Sequence, residues 1–129
     1  MIINNIFIII KMNMENIDNI TIDNRGNRWI KTSIDKDEQK IVNEIVNEWA
    51  TTSDENIDKV KKIILNSFGE NHQIRGMPSN DFIYMCTSDN CNHYFLQTGN
   101  KDPIIYKYEG ECDIIFTDST TLDDILITI

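Results

Sequence analysis

The stretch Asp81–Ile129, DFIYMCTSDNCNHYFLQTGNKDPIIYKYEGECDIIFTDSTTLDDILITI, decides the fold. It holds four short apolar runs: Phe82–Met85, His93–Gln97, Ile104–Tyr108 and Cys112–Phe116. Tyr, Phe and Ile dominate them, residue types that suit a pleated, half-buried surface. Polar stretches of turn length separate them: Thr87–Asn90, Gly99–Pro103, and the segment around Glu109-Gly110-Glu111. Connections this short leave no room for a crossover, so successive runs are expected to pair antiparallel as a meander. Ser119 or Thr120 is expected to cap a closing helix. Asp123 and Asp124 would lie in its first turn, where the helix dipole favours anions, and Leu122, Ile125 and Leu126 would form its apolar stripe.

Working outward, Asp35–Thr52 reads as an amphipathic helix, because Ile41, Val42, Ile45, Val46 and Trp49 fall on one face. Ser33 or Asp35 can cap it, with Asp37 and Glu38 in the first turn. A second helix is expected from a cap at Ser53 or Asp54, through Ile57, Val60, Ile64 and Phe68, to a glycine stop at Gly69. The short Thr51–Ser53 link makes the two an antiparallel pair. Glu70–Asn80, with Gly76 and Pro78, reads as a loop leading into the sheet. Ile17–Ser33 reads as a hairpin turning at Asp23–Gly26. Residues 1–16 form an N-terminal segment. Its run Ile2–Ile10 is too short to span a bilayer as a helix and has neither the basic flank nor the cleavage site of a secretory signal. It suits either a disordered start or an added strand. The expected architecture is therefore α+β: one domain over residues 17–129, an antiparallel meander packed against two amphipathic helices and closed by a short C-terminal helix.

The 129 residues carry a formal charge of −9 and a pI near 4.5. Nucleic-acid binding asks for a basic stripe, so this balance argues against it and favours a basic protein partner or simply solubility, a solvated acidic surface being the more common reading. Membrane association is not expected. Three cysteines without a secretory signal point to reduced thiols in the cytoplasm.

Chemistry-bearing residues are few. Cys86, Cys91, His93 and Cys112 are of zinc-ligand type, but the tight C-x2-C knuckle is missing. Cys86 and Cys112 also sit in apolar runs, where cysteine usually packs as a small hydrophobe. Cys91 and His93, two apart on one strand, would share a face, yet no third group stands near in sequence to activate the thiol. The acid pair Glu109 and Glu111 flanks a turn glycine and suits a solvated turn. Asp123 and Asp124 suit a helix start. No phosphate loop, nucleophile elbow or H-E-x-x-H helix is present. Neither a cofactor nor a metal is expected.

The C-terminal half resembles the SUKH superfamily. Ser88-Asp89-Asn90-Cys91-Asn92-His93-Tyr94-Phe95-Leu96 stands where that family has its turn and strand. Asp102-Pro103-Ile104-Ile105-Tyr106-Lys107-Tyr108-Glu109 stands for the next strand, and Ser119–Leu126 for the closing helix. The turn lacks the family's glycine, and the N-terminal helix motif of the family has no counterpart. The resemblance implies a non-catalytic module that binds a protein partner, as immunity and recruitment proteins do; the Ile- and Asn-rich composition is compatible with a viral member. The residues expected to meet such a partner are Asp89, Asn90, Asn92, His93, Glu109 and Glu111. Two alternatives remain. One is a small metal- or thiol-dependent enzyme built on Cys86, Cys91, His93 and Cys112. The other is an oligomer-forming structural protein that uses its Ile-rich start as an intermolecular strand.

Overall fold

The computed structural model describes residues 19–71, 73–87, 92–99, 104–110, 114, 116–117 and 119–126. Three strands of the expected meander, β4 (Phe82–Thr87), β5 (Asn92–Gln97) and β6 (Ile104–Glu109), pair antiparallel in sequence order. The hairpin of β1 (Ile20–Ile22) and β2 (Arg28–Ser33) joins the sheet beside β6. The strand β3 (Ile74–Pro78) joins beside β4, giving a six-stranded sheet in the order β1-β2-β6-β5-β4-β3. The helices are α1 (Lys36–Glu48), α2 (Ser53–Phe68) and α3 (Leu122–Leu126). The chain thus has the α+β architecture that its patterning indicates.

Two apolar cores, one on each face of the sheet, explain why β4 and β5 read as nearly continuous apolar runs. Alternate residues of a strand point to opposite faces. Ile83, Met85, Tyr94, Leu96 and Ile105 meet Val42 and Ile45 of α1 and Val60, Ile63 and Ile64 of α2. Phe82, Phe95, Tyr108 and Trp29 form an aromatic layer on the other face. Leu122, Ile125 and Leu126 of α3 cover that layer together with Ile114 and Phe116. Phe82 meets Phe95 and Phe116 edge-on at 5.6 and 5.5 Å between ring centroids, a favoured aromatic geometry.

Local chemistry sets the element ends. Asp35 and Glu38 make a reciprocal capping box at the start of α1. Farther along α1, the Asn43 side chain both donates to the Gly99 carbonyl and accepts from its N–H, and Gln39 donates to the Gln97 carbonyl. These bonds pin the helix to the chain leaving β5. Gly69 ends α2 in the left-handed conformation with φ 68°, as a glycine stop requires.

Several expectations need correction. Glu70–Asn80 is not all loop, because Ile74–Pro78 pairs with β4 as an edge strand. An edge strand tolerates a terminal proline. At Gly76 a Cβ would lie 2.1 Å from the Met85 sulfur and 2.9 Å from the Tyr84 carbonyl, so this position takes no side chain. The N-cap of α2 is Thr52 rather than Ser53 or Asp54, and its hydroxyl donates back to the Glu48 carbonyl. At α3 the cap is Thr121, not Ser119 or Thr120. The Thr121 hydroxyl accepts from the Asp124 N–H, and Asp124 accepts from the Thr121 N–H. Asp81, just before β4, accepts from the Leu122 N–H at 2.7 Å and fastens this helix to the sheet. Of the fourth apolar run, Ile114 and Phe116 lie in no strand; they pack over the aromatic layer instead, and residues 112, 113 and 115 are outside the described residues. The Ile2–Ile10 run is also outside them.

Candidate functional site

The register of the central strands brings one end of the sheet into focus. Asn92, the first residue of β5, stands opposite Glu109, the last of β6, and Glu109 stands opposite Arg28, the first of β2. The end of β4 at Thr87 and the start of β3 at Ile74 pair at the same end. The β1–β2 turn is there too. The chain therefore leaves β4 before residues 88–91, enters β5 after them, and leaves β6 towards residue 111, all at one end of the sheet.

Asp23 builds the turn at this end. Its carboxylate accepts from the N–H groups of Arg25 and Asn27, both at 2.9 Å, and from the Trp29 indole N–H at 3.1 Å. Burial pushes the Asp23 carboxyl up, but these donors together outweigh it and hold the group below its ordinary value. Gly26 takes φ 83° within the turn, the left-handed conformation in which glycine has no Cβ penalty.

Beside the turn, on the helical face, lies a charged cluster. Lys107 is 6% exposed, and its ammonium lies 3.0 Å from the Glu109 carboxylate. It also pairs with the Glu70 carboxylate, which accepts from the Tyr94 hydroxyl as well. The Phe68 ring lies 5.9 Å from the ammonium. Arg28 approaches Glu109 from the neighbouring strand at 3.9 Å. Burial, then the Glu70 carboxylate, drives the Tyr94 phenol far above its ordinary value, so it stays a neutral donor. The cluster ties the chain after α2 to β5 and β6 and pairs the buried Lys107 ammonium with two carboxylates.

The sequence-derived site residues separate accordingly. Asn92 and Glu109 face each other at this end, half-buried. The Glu109 charge is shared with Lys107 and Arg28, so it is not a free acidic contact. His93 is 2% exposed on the aromatic face, which closes it to direct contact with a partner in this conformation. Asp89, Asn90 and Glu111 are outside the described residues. Sequence reading missed Glu70, Tyr94 and Lys107 altogether. The only local hint was a lysine at an inward-facing position of an apolar strand.

Of the thiol–histidine set, the structure describes Cys86 and His93, which stand opposite each other across β4 and β5. His93 Nδ1 and the Tyr84 hydroxyl share a 2.6 Å hydrogen bond, with the rings stacked at 5.8 Å. Burial, with the neighbouring Cys86 thiol adding to it, holds the Tyr84 phenol well above its ordinary value. Cys86 is a free, half-buried thiol, while Cys91 and Cys112 are outside the described residues. Among the described residues no group of three or more His, Cys, Asp or Glu is placed to hold a metal ion. No helix among them is long and apolar enough to cross a membrane.

Compared with known proteins, the chain matches no family model, no curated protein and no solved structure.

Proposed function

We propose that this chain is a non-catalytic module that binds a basic protein through the sheet end where β4, β5 and β6 terminate. The observation that carries this reading is the Asn92–Glu109 register. It sets the chain positions flanking 88–91 next to the one preceding residue 111, so that Asp89 and Glu111 would act from one edge. The formal charge of −9 supports it, since an acidic field speeds encounter with a basic partner. The resemblance of the C-terminal half to the SUKH superfamily points the same way, towards neutralisation or recruitment of a partner protein in the cytoplasm. The test is capture of a partner from the native lysate on purified wild-type protein and on an Asp89→Lys/Glu111→Lys variant. A basic protein retained at low salt, released at high salt and lost on the variant supports the reading. Equal retention on both proteins overturns it.

A further inference from the structure

The helical layer presents a groove whose two walls carry opposite charge. It lies between α1 and α2 with a volume of about 360 Å³, and Ile41, Ile45 and Ile63 form its floor. Glu38 and Glu44 stand on the α1 wall, Lys59 and Lys62 on the α2 wall. Glu44, Lys59 and Lys62 are exposed, and among the described residues none of the three has an ion-pair partner. Large apolar side chains reach the surface on both helices. Ile41 is 38% exposed on α1. Leu65, 40% exposed on α2, is three residues after Lys62 and so beside it on the helix surface.

Charge and direction together decide what fits this face. The chain has 21 acidic residues against 12 lysines and arginines, so most faces of two copies repel each other. The groove is an exception, with two groups of each sign segregated to opposite walls. The two helices run antiparallel: a short link joins them, and Glu38 near the start of α1 shares the groove with Asn66 near the end of α2. A twofold axis parallel to the helices, lying between two facing layers, sets each α1 over the partner's α2 at the same level along the groove. Each acidic wall then meets a basic wall, and Ile41 of each copy comes towards Leu65 of the other. A twofold axis running across the helices would set α1 on α1, acid against acid, which opposes association. One orientation is therefore self-complementary, as a closed twofold interface requires.

We infer that the groove between α1 and α2 is the interface of a symmetric dimer of this chain, with Glu44 of each copy facing Lys59 and Lys62 of the other. The inference is independent of the partner-binding reading, since it concerns the helical layer and not the sheet end.

The experiment measures sedimentation of the full-length protein over a concentration series for wild type, for Glu44→Lys, for Lys59→Glu/Lys62→Glu, and for an equimolar mixture of the two variants. All three positions are exposed, and glutamate and lysine have similar helix propensities, so the helices are kept. The expected wild type is a dimer that dissociates on dilution. Each variant makes both walls of one copy alike and should dimerise at least about tenfold more weakly. In the mixture an all-basic groove meets an all-acidic one, and dimers should return. General charge repulsion predicts the reverse for Glu44→Lys, which lowers the net negative charge. A wild type that stays monomeric at every concentration, a dimer that survives in either variant, or a mixture that stays monomeric would overturn the inference.

Discussion

The Lys107 ammonium lies 3.0 Å from the Glu109 carboxylate, two residues along the same strand and on the same face. The same ammonium holds Glu70, the residue that follows the α2 stop, so one lysine couples the helical layer to the sheet end. Replacing it leaves two carboxylates facing each other. Breaking a fully buried pair costs about 3–5 kcal/mol. The Glu70 and Glu109 side chains are 21% and 32% exposed, so solvent takes up part of that cost. Lys107→Met is therefore expected to destabilise the fold by about 2 kcal/mol in urea unfolding. Adding Glu70→Gln to Lys107→Met should recover part of the loss. A double variant with the full sum of the two single losses would show that the pair is not coupled.

Asp23→Ala should lower the unfolding midpoint and change Trp29 fluorescence, because it removes acceptors from two backbone N–H groups and the indole. The pH dependence has a fixed sign. The folded carboxyl titrates below the unfolded value of 3.8, so its contribution is complete above that value and is lost as pH falls through the folded pKa. Wild type should lose stability relative to Asp23→Ala over that acid range. A constant difference between the two proteins across acid pH would contradict the assignment.

At Gly76 the obstacle is backbone as well as side chain. The added Cβ would meet the Tyr84 carbonyl at 2.9 Å and the sulfur of Met85, which has no exposed surface. Gly76→Ala is expected to cost about 1–3 kcal/mol by forcing β3 away from β4. Faster amide exchange along β4 in the variant would locate the damage at this edge.

Asn56 has the opposite expectation. It is 0% exposed on the inner side of α2, and among the described residues neither its side-chain nitrogen nor its side-chain oxygen has a hydrogen-bond partner. An orphaned buried polar group costs about 1–3 kcal/mol. Asn56→Val should raise stability by about 1 kcal/mol, since valine and asparagine have about the same helix propensity. A drop in thermal midpoint would mean that the amide is satisfied in solution.

These four positions also show what the sequence could reveal. The helices were legible because their signals are local: the 3.6-residue stripe, the Asp35–Glu38 capping box and the Gly69 stop lie within a few residues of one another. The hairpin was legible from Gly26 for the same reason. The edge strand β3 was hidden because Gly76 and Pro78 read as breakers, while the reason for the glycine is a contact with Met85 and Tyr84 on another strand. The second core was foreshadowed in β5, where His93–Leu96 are buried on both faces. What covers that second face comes from residues after β6 whose spacing looked like one more strand. At the sheet end, Glu70 and Lys107 are far apart in sequence, and only the packing of the chain after α2 against the sheet unites them.

The most direct measurement is the association rate of the captured partner as a function of ionic strength, for wild type and for the Asp89→Lys/Glu111→Lys variant. The account predicts a wild-type rate that falls about tenfold or more as salt rises to physiological strength, and a low-salt rate for the variant that is slower by a similar factor. A rate indifferent to salt and to both substitutions would contradict an acidic binding end.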